Sequence, residues 1–326
     1  SISSAGDING DGFDDFLIGA RSADPGGNTD AGATYVIFGS GDAFLESFDL
    51  ATLDGSNGFR LDGTNAGDAS GWSVSSAGDI NGDGLDDLLV GAPAADREGD
   101  NNEGAAYVVL GSTSNFPASL NLDSLDKTTG FRINGIDNDD ELGFTVSSAG
   151  DVNGDGLDDV LIASPFADPE GRNTAGKTFV LFGFEGELPE TGELGQLDGT
   201  VGFQLNGSGS GDLSGWSASG AGDVNGDGFD DILVGALFAS PDENTNAGET
   251  YVVFGSGSGF PSVLELDELD GTNGFTLNGI DTDDESGFSV SAAGDINGDG
   301  FADVLIGAHR ANPGGENSAG ESYVVF

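Results

Sequence analysis

Five stretches of the chain place oxygen-bearing side chains at alternate positions of a glycine-rich segment. The first reads Asp7-Ile8-Asn9-Gly10-Asp11-Gly12-Phe13-Asp14-Asp15, and its counterparts begin at Asp79, Asp151, Asp223 and Asp295. With the leading Asp as position one, side-chain oxygens stand at positions one, three, five and nine, and Gly stands at six. Alternate positions in a tight loop converge on one centre, and the backbone carbonyl of position seven completes a shell. Carboxylate, amide and carbonyl oxygens are hard donors, which favour Ca²⁺ and disfavour soft metals. Gly at position six permits the sharp turn.

Positions eight and nine both offer an Asp as the last ligand. The fifth loop separates them, because it carries Ala302 at position eight and keeps Asp303 at nine. The predicted ligands of the first loop are thus Asp7, Asn9, Asp11, the Phe13 carbonyl and Asp15. Those of the second are Asp79, Asn81, Asp83, the Leu85 carbonyl and Asp87. The third set is Asp151, Asn153, Asp155, Leu157 and Asp159; the fourth is Asp223, Asn225, Asp227, Phe229 and Asp231. The fifth is Asp295, Asn297, Asp299, Phe301 and Asp303. Five Ca²⁺ ions are expected, one per loop. Two carboxylates about 4 Å apart repel by roughly 4 kcal/mol at an effective dielectric of about 20, so a loop without cation is strained. An EF-hand would need a Glu at position twelve, where these loops have Ile18, Val90, Ile162, Val234 and Ile306.

The elements that hold these loops follow from the spacing. The loops recur every 72 residues with no insertion or deletion, and so do Tyr35, Tyr107, Phe179, Tyr251 and Tyr323. Phe59, Phe131, Phe203 and Phe275 share a second column. A weaker period of 144 sets Trp72 and Trp216 against Phe144 and Phe288. Within a unit, Ser73–Ala77 alternates, Leu88–Ala92 is a short apolar run, and Ala106–Leu110 is rich in β-formers. Gly130–Gly135 alternates between two glycines. The best helical stretch, near Ser119–Asp126, is too short to matter.

Four short antiparallel strands in a unit of 72 residues have the size of a β-propeller blade. The expected fold is therefore all-β, a propeller with five visible blades and the last one strand short. A stacked array of sandwiches is the competing arrangement. One domain is expected over residues 1–326, with units 1–72, 73–144, 145–216, 217–288 and a partial 289–326. The chain opens on a repeat at Ser1, so it is expected to be a piece of a longer protein. The edge left by the strand lacking from the last unit would then stay unpaired, be covered by a neighbouring molecule, or join further blades of the parent.

Composition limits the partners. With 58 acidic residues against eight Lys or Arg, the formal charge is -50. Nucleic acid and anionic lipid require a basic surface, and the eight basic residues are scattered. No apolar run is long enough for membrane insertion. Cys is absent, so disulfides contribute nothing. Extracellular calcium modules bind with Kd of about 10⁻⁴–10⁻³ M, which with the acidic surface predicts a secreted or cell-surface protein.

The pattern Trp72-Ser73, then Gly78-Asp79-Ile80-Asn81-Gly82-Asp83-Gly84, then Asp87-Leu88-Leu89-Val90-Gly91-Ala92-Pro93, resembles the FG-GAP repeat of integrin α-subunit propellers and many bacterial surface proteins. The resemblance runs through the whole chain. It implies a propeller with calcium in the hairpin between the first two strands of each blade. Two features depart from the pattern. Gly-Trp or Gly-Phe replaces Phe-Gly, and the final Pro survives only as Pro93 and Pro165, with Arg21, Leu237 and His309 elsewhere.

His309, the one His, thus falls in a variable loop column. The acid clusters Asp137–Glu141 and Asp281–Glu285 read as a solvated rim, with additional calcium there left open. Trp72 and Trp216 read as packing residues, since Phe takes their place in alternate units. The expected function is a non-enzymatic structural, adhesion or ligand-binding module, with one propeller face taking a protein or glycan partner. The alternative is the scaffold of a secreted carbohydrate-active enzyme such as a polysaccharide lyase, which would need a basic or acid–base cluster on the central face.

Overall fold

The computed structural model describes residues 1–41, 46–96, 101–186 and 192–326. The chain is all-β, in five sheets. The first contains Ile2–Gly6, Asp15–Ala20, Ala33–Ile37 and Gly58–Asp62 in sequence order, each antiparallel to the next. The second repeats this order with Val74–Gly78, Asp87–Ala92, Ala105–Val109 and Gly130–Asn134. The third has Thr145–Gly150, Asp159–Ser164, Lys177–Leu181 and Gly202–Asn206. The fourth has Ser214–Gly222, Asp231–Ala236, Glu249–Val253 and Gly274–Asn278. The fifth has three strands, Ser286–Gly294, Asp303–Ala308 and Glu321–Val325.

Four strands per unit is an undercount for three of the sheets. Ser119–Asn121 pairs in parallel with Gly58–Asp62, Gly192–Glu193 with Gly130–Asn134, and Val263–Glu265 with Gly202–Asn206. Each added strand belongs to the following repeat. The helical stretch near Ser119–Asp126 is accordingly a strand followed by one 3₁₀ turn, Leu122–Ser124. Its apolar spacing serves a different purpose from a helix face: Leu122 is buried in the core and Leu120 packs against it. Phe116, just upstream, stacks on Phe59 of the preceding repeat with ring centroids 4.3 Å apart.

The chain forms two compact bodies, Ser1–Val146 with Phe184–Leu194, and Ser147–Gly183 with Gly195–Phe326. In the first, Leu17, Val36 and Phe59 of one sheet meet Leu88, Val90, Tyr107 and Val109 of the next. The second body shows the two-residue period of a strand directly. Ile232 and Val234 join a core with Leu161, Val180 and Phe203 of the preceding sheet, while Leu233 between them packs with Val304 of the following one. A strand covered on both faces is apolar along the covered stretch, which is why residues 232–236 show no alternation. Gly91 allows the close approach this demands, since a Cβ there would lie 2.0 Å from the Gly143 carbonyl oxygen.

Candidate functional site

Each Asp-rich loop joins the first two strands of a sheet, so the loop is held at both ends by a ladder. In the first, the Asp7 carboxylate accepts from the Asp11 N–H at 3.0 Å and the Gly12 N–H at 2.9 Å. Asn9 Oδ1 accepts from the Asp11 N–H at 2.8 Å, and Asp11 Oδ1 from the Phe13 N–H at 3.0 Å. These are side-chain turns of the kind Asp and Asn favour. Gly12 has φ +88° with open space beside it, so backbone conformation and not crowding excludes a side chain there. The same bonds recur in the other loops, among them Gly84, Gly156, Gly228 and Gly300 N–H to the leading Asp at 2.8–2.9 Å.

Position nine is the buried end of each loop. Asp15 is 2% exposed, and Asp87, Asp159, Asp231 and Asp303 are fully buried. One oxygen of Asp87 accepts from the Ile80 N–H at 3.2 Å, the other from the Gly111 N–H at 2.8 Å. Asp15, Asp159 and Asp231 take the same pair of donors, the second always a glycine: Gly39, Gly183 and Gly255. Burial pushes the Asp15 and Asp87 carboxyls up to about 7, Asp159 to about 8 and Asp231 to about 6. The carboxylates at positions one and five add to the rise, and the backbone donors oppose it. Each carboxyl sits in low dielectric with like charges as neighbours and, among the described residues, without a basic partner, so its charged form is disfavoured.

The structure thus brings positions one, three, five and nine onto a single loop, five times over. As arranged, their oxygens are turned to backbone N–H groups, and among the described residues no three acidic or His side chains form a ready coordination sphere. The donor chemistry nevertheless fits a hard divalent cation: a carboxylate oxygen that accepts one N–H keeps lone-pair capacity for a metal.

Position eight has a separate role that the sequence reading did not find. Asp86 accepts from the Asp7 N–H of the preceding repeat at 2.7 Å, and Asp230 likewise from the Asp151 N–H at 2.9 Å. The partner lies 79 residues away, so no local pattern reveals it. The glycines that cap position nine were also missed, though Gly39, Gly111, Gly183 and Gly255 keep the 72-residue period that could have marked them.

The remaining candidates resolve into packing and ion pairs. The His309 ring lies 4.0 Å from Phe288, and its Nε2 is 3.6 Å from Glu285. Glu285 also pairs with Arg310 at 2.6 Å, so part of the Asp281–Glu285 cluster is neutralised within the chain. Trp72 lies 5.3 Å from Phe144 and under Arg21, and Trp216 lies 6.2 Å from Phe288.

Tandem 72-residue units, each an antiparallel sheet whose first hairpin is an Asp-rich loop with a buried terminal carboxylate, define a repeat protein built around acidic turns. The FG-GAP repeat model matches residues 1–37, 70–109, 143–181, 214–253 and 286–325, and the chain belongs to that family. It is 30% identical to integrin alpha-5 of Xenopus laevis over 236 residues, 71% of this chain and 19% of that protein. It is 26% identical to a phosphatidylinositol-glycan-specific phospholipase D of Dictyostelium discoideum over 326 residues, 92% of this chain and 31% of that protein. The Bos taurus phospholipase of the same name is 34% identical over 166 residues, 51% of this chain and 18% of that protein. The chain thus spans less than a third of the length of these curated relatives. Among the described residues no helix is long and apolar enough to cross a membrane.

Proposed function

We propose that the chain is a calcium-binding β-propeller module of a secreted or cell-surface protein, with one propeller face taking a protein or glycan partner. The five sheets are its blades, and residues 1–326 act as one domain of a longer protein. The observation that carries the reading is the fivefold recurrence of a loop that ends in a buried Asp which, among the described residues, has no basic partner. A divalent cation supplies the missing positive charge, using Asp, Asn, Asp, a backbone carbonyl and Asp in each loop. In this role calcium ties the hairpin between the first two strands and makes each blade rigid. Similarity to integrin alpha-5 supports an adhesion or ligand-binding role. The test is calcium stoichiometry, by calorimetry or by anomalous scattering from crystals grown in calcium. Five sites are expected; fewer than four at saturation would refute the assignment.

A second reading is that the repeats are a non-catalytic part of a larger enzyme. The match to a phospholipase D over 92% of this chain favours it over the polysaccharide-lyase scaffold. Hydrolysis of a glycosylphosphatidylinositol substrate by residues 1–326 alone would move the chemistry into these repeats and displace the first reading.

A further inference from the structure

We infer that Asp86 and Asp230 are positioning residues that hold the calcium loop of the preceding repeat in its binding shape. The inference rests on the calcium reading and adds a coupling between neighbouring sites. At three places the structure shows the position-eight residue of one repeat meeting the first residue of the loop before it. The Asp86 N–H donates to the Asp7 carbonyl at 3.4 Å, and the Asp86 carboxylate accepts from the Asp7 N–H at 2.7 Å. Asp230 and Asp151 make the same reciprocal pair at 3.1 and 2.9 Å. Ala302 makes only the backbone half, donating to the Asp223 carbonyl at 2.9 Å.

The geometry of the preceding residue is built for this contact. A Cβ on Gly6 would lie 2.2 Å from the Asp86 carboxyl carbon, and one on Gly150 would lie 2.2 Å from Asp230 Oδ2. Gly222, facing Ala302, would meet only that alanine's Cβ at 3.0 Å. Two bonds to the backbone of Asp7 fix the peptide planes on both sides of its Cα. They therefore fix the direction of the carboxylate at position one, on which the loop's N–H groups converge. A second link runs the same way: Asp87 holds the Gly111 N–H, and the next residue, Ser112, donates to the Ile8 carbonyl at 2.9 Å. A ligand that orders the second loop thereby also steadies the first. The clamp is a hydrogen bond to an ionised acceptor, worth about tenfold in the affinity of the loop it orders.

The experiment is a calcium titration of the full chain followed by the amide resonances of Gly12 and Gly228, which report the first and fourth loops. Asp86→Ala is expected to raise the calcium midpoint at Gly12 about tenfold, with Gly228 unmoved. Asp86→Asn, which removes the same charge but keeps an acceptor oxygen, should restore about half of that loss on a logarithmic scale. Ala302→Asp should tighten the fourth loop, read at Gly228, severalfold, and it tests the idea even where Asp86→Ala fails to fold. A Gly12 midpoint within about twofold of wild type in Asp86→Ala, or equal losses in the Ala and Asn variants, would overturn the positioning role alone. Wild-type loop amides that do not respond to calcium would overturn the calcium reading with it.

Discussion

At the scale of single residues, the proposed ligand positions of one loop divide by burial. Asp83 is exposed and accepts one N–H, from Leu85, whereas Asp87 is fully buried and accepts two. Both Asp83→Ala and Asp87→Ala should abolish calcium at the second loop. In excess chelator, Asp83→Ala should change stability by less than about 1 kcal/mol, while Asp87→Ala should lose about 2–4 kcal/mol, because two buried N–H groups lose their acceptor. Equal losses in urea unfolding would contradict this division. The calcium-free protein should also show an inverted pH dependence. Burial raises Asp15, Asp87, Asp159 and Asp231 to between about 6 and 8, against about 3.9 in the unfolded chain. Between about pH 4 and 7 the folded chain therefore holds protons that the unfolded chain has released, and stability falls as pH rises. Denaturant midpoints in chelator should drop from pH 5 to pH 8; a rise across that window would show that these carboxyls stay ionised when folded. The candidate ligand positions share one short loop and one period, and Ala302 separates positions eight and nine, so the proposal for them rests on the sequence pattern. What Asp86 does was not legible, since hydrogen bonding across repeats leaves no trace in local spacing.

At the scale of elements, the segments that lead into Ser119–Asn121 and Val263–Glu265 strap one repeat to the one before. Phe260 stacks on Phe203 with centroids 4.2 Å apart and ring planes 4° apart, and Val263–Glu265 then pairs with Gly202–Asn206. Phe116 and Phe59 repeat the arrangement. Removing the Phe260 ring should cost about 2–3 kcal/mol, because it is partly exposed and loses one stacked partner. Hydrogen exchange at Gln204, whose N–H donates to the Ser262 carbonyl, should accelerate in Phe260→Ala while Phe179 across the sheet stays protected. Uniform acceleration along the sheet would mean the strap carries the whole repeat. The nineteen antiparallel strands among the described residues were legible because alternation or a continuous apolar run marks them. The three added strands are two or three residues long, too short to carry any periodicity. Their partner is chosen by tertiary contact with the neighbouring repeat.

At the scale of the whole molecule, the dominant quantity is a formal charge of -50 on 326 residues. Self-repulsion of this size opposes compaction, and five divalent ions would bring the charge to -40, since each contributes two. A ligand that binds only the folded chain, present about tenfold above its Kd, adds about 1.4 kcal/mol per site. Five independent sites then contribute about 7 kcal/mol, comparable with the roughly 5–15 kcal/mol that holds an ordinary domain. Chelation should therefore lower Tm by about 10 °C. The ionic strength separates the two parts of this effect. At low salt, chelation removes the cations and also leaves the acidic surface unscreened. In about 1 M sodium chloride the Debye length falls to about 3 Å, so surface repulsion is largely suppressed while the buried position-nine carboxylates stay shielded from the salt. The difference in Tm between calcium and chelator, measured by calorimetry, should narrow with added salt yet remain several degrees. A difference that vanishes at high salt would make calcium a surface counterion, and an unchanged melting curve at every salt concentration would remove it from the account of stability.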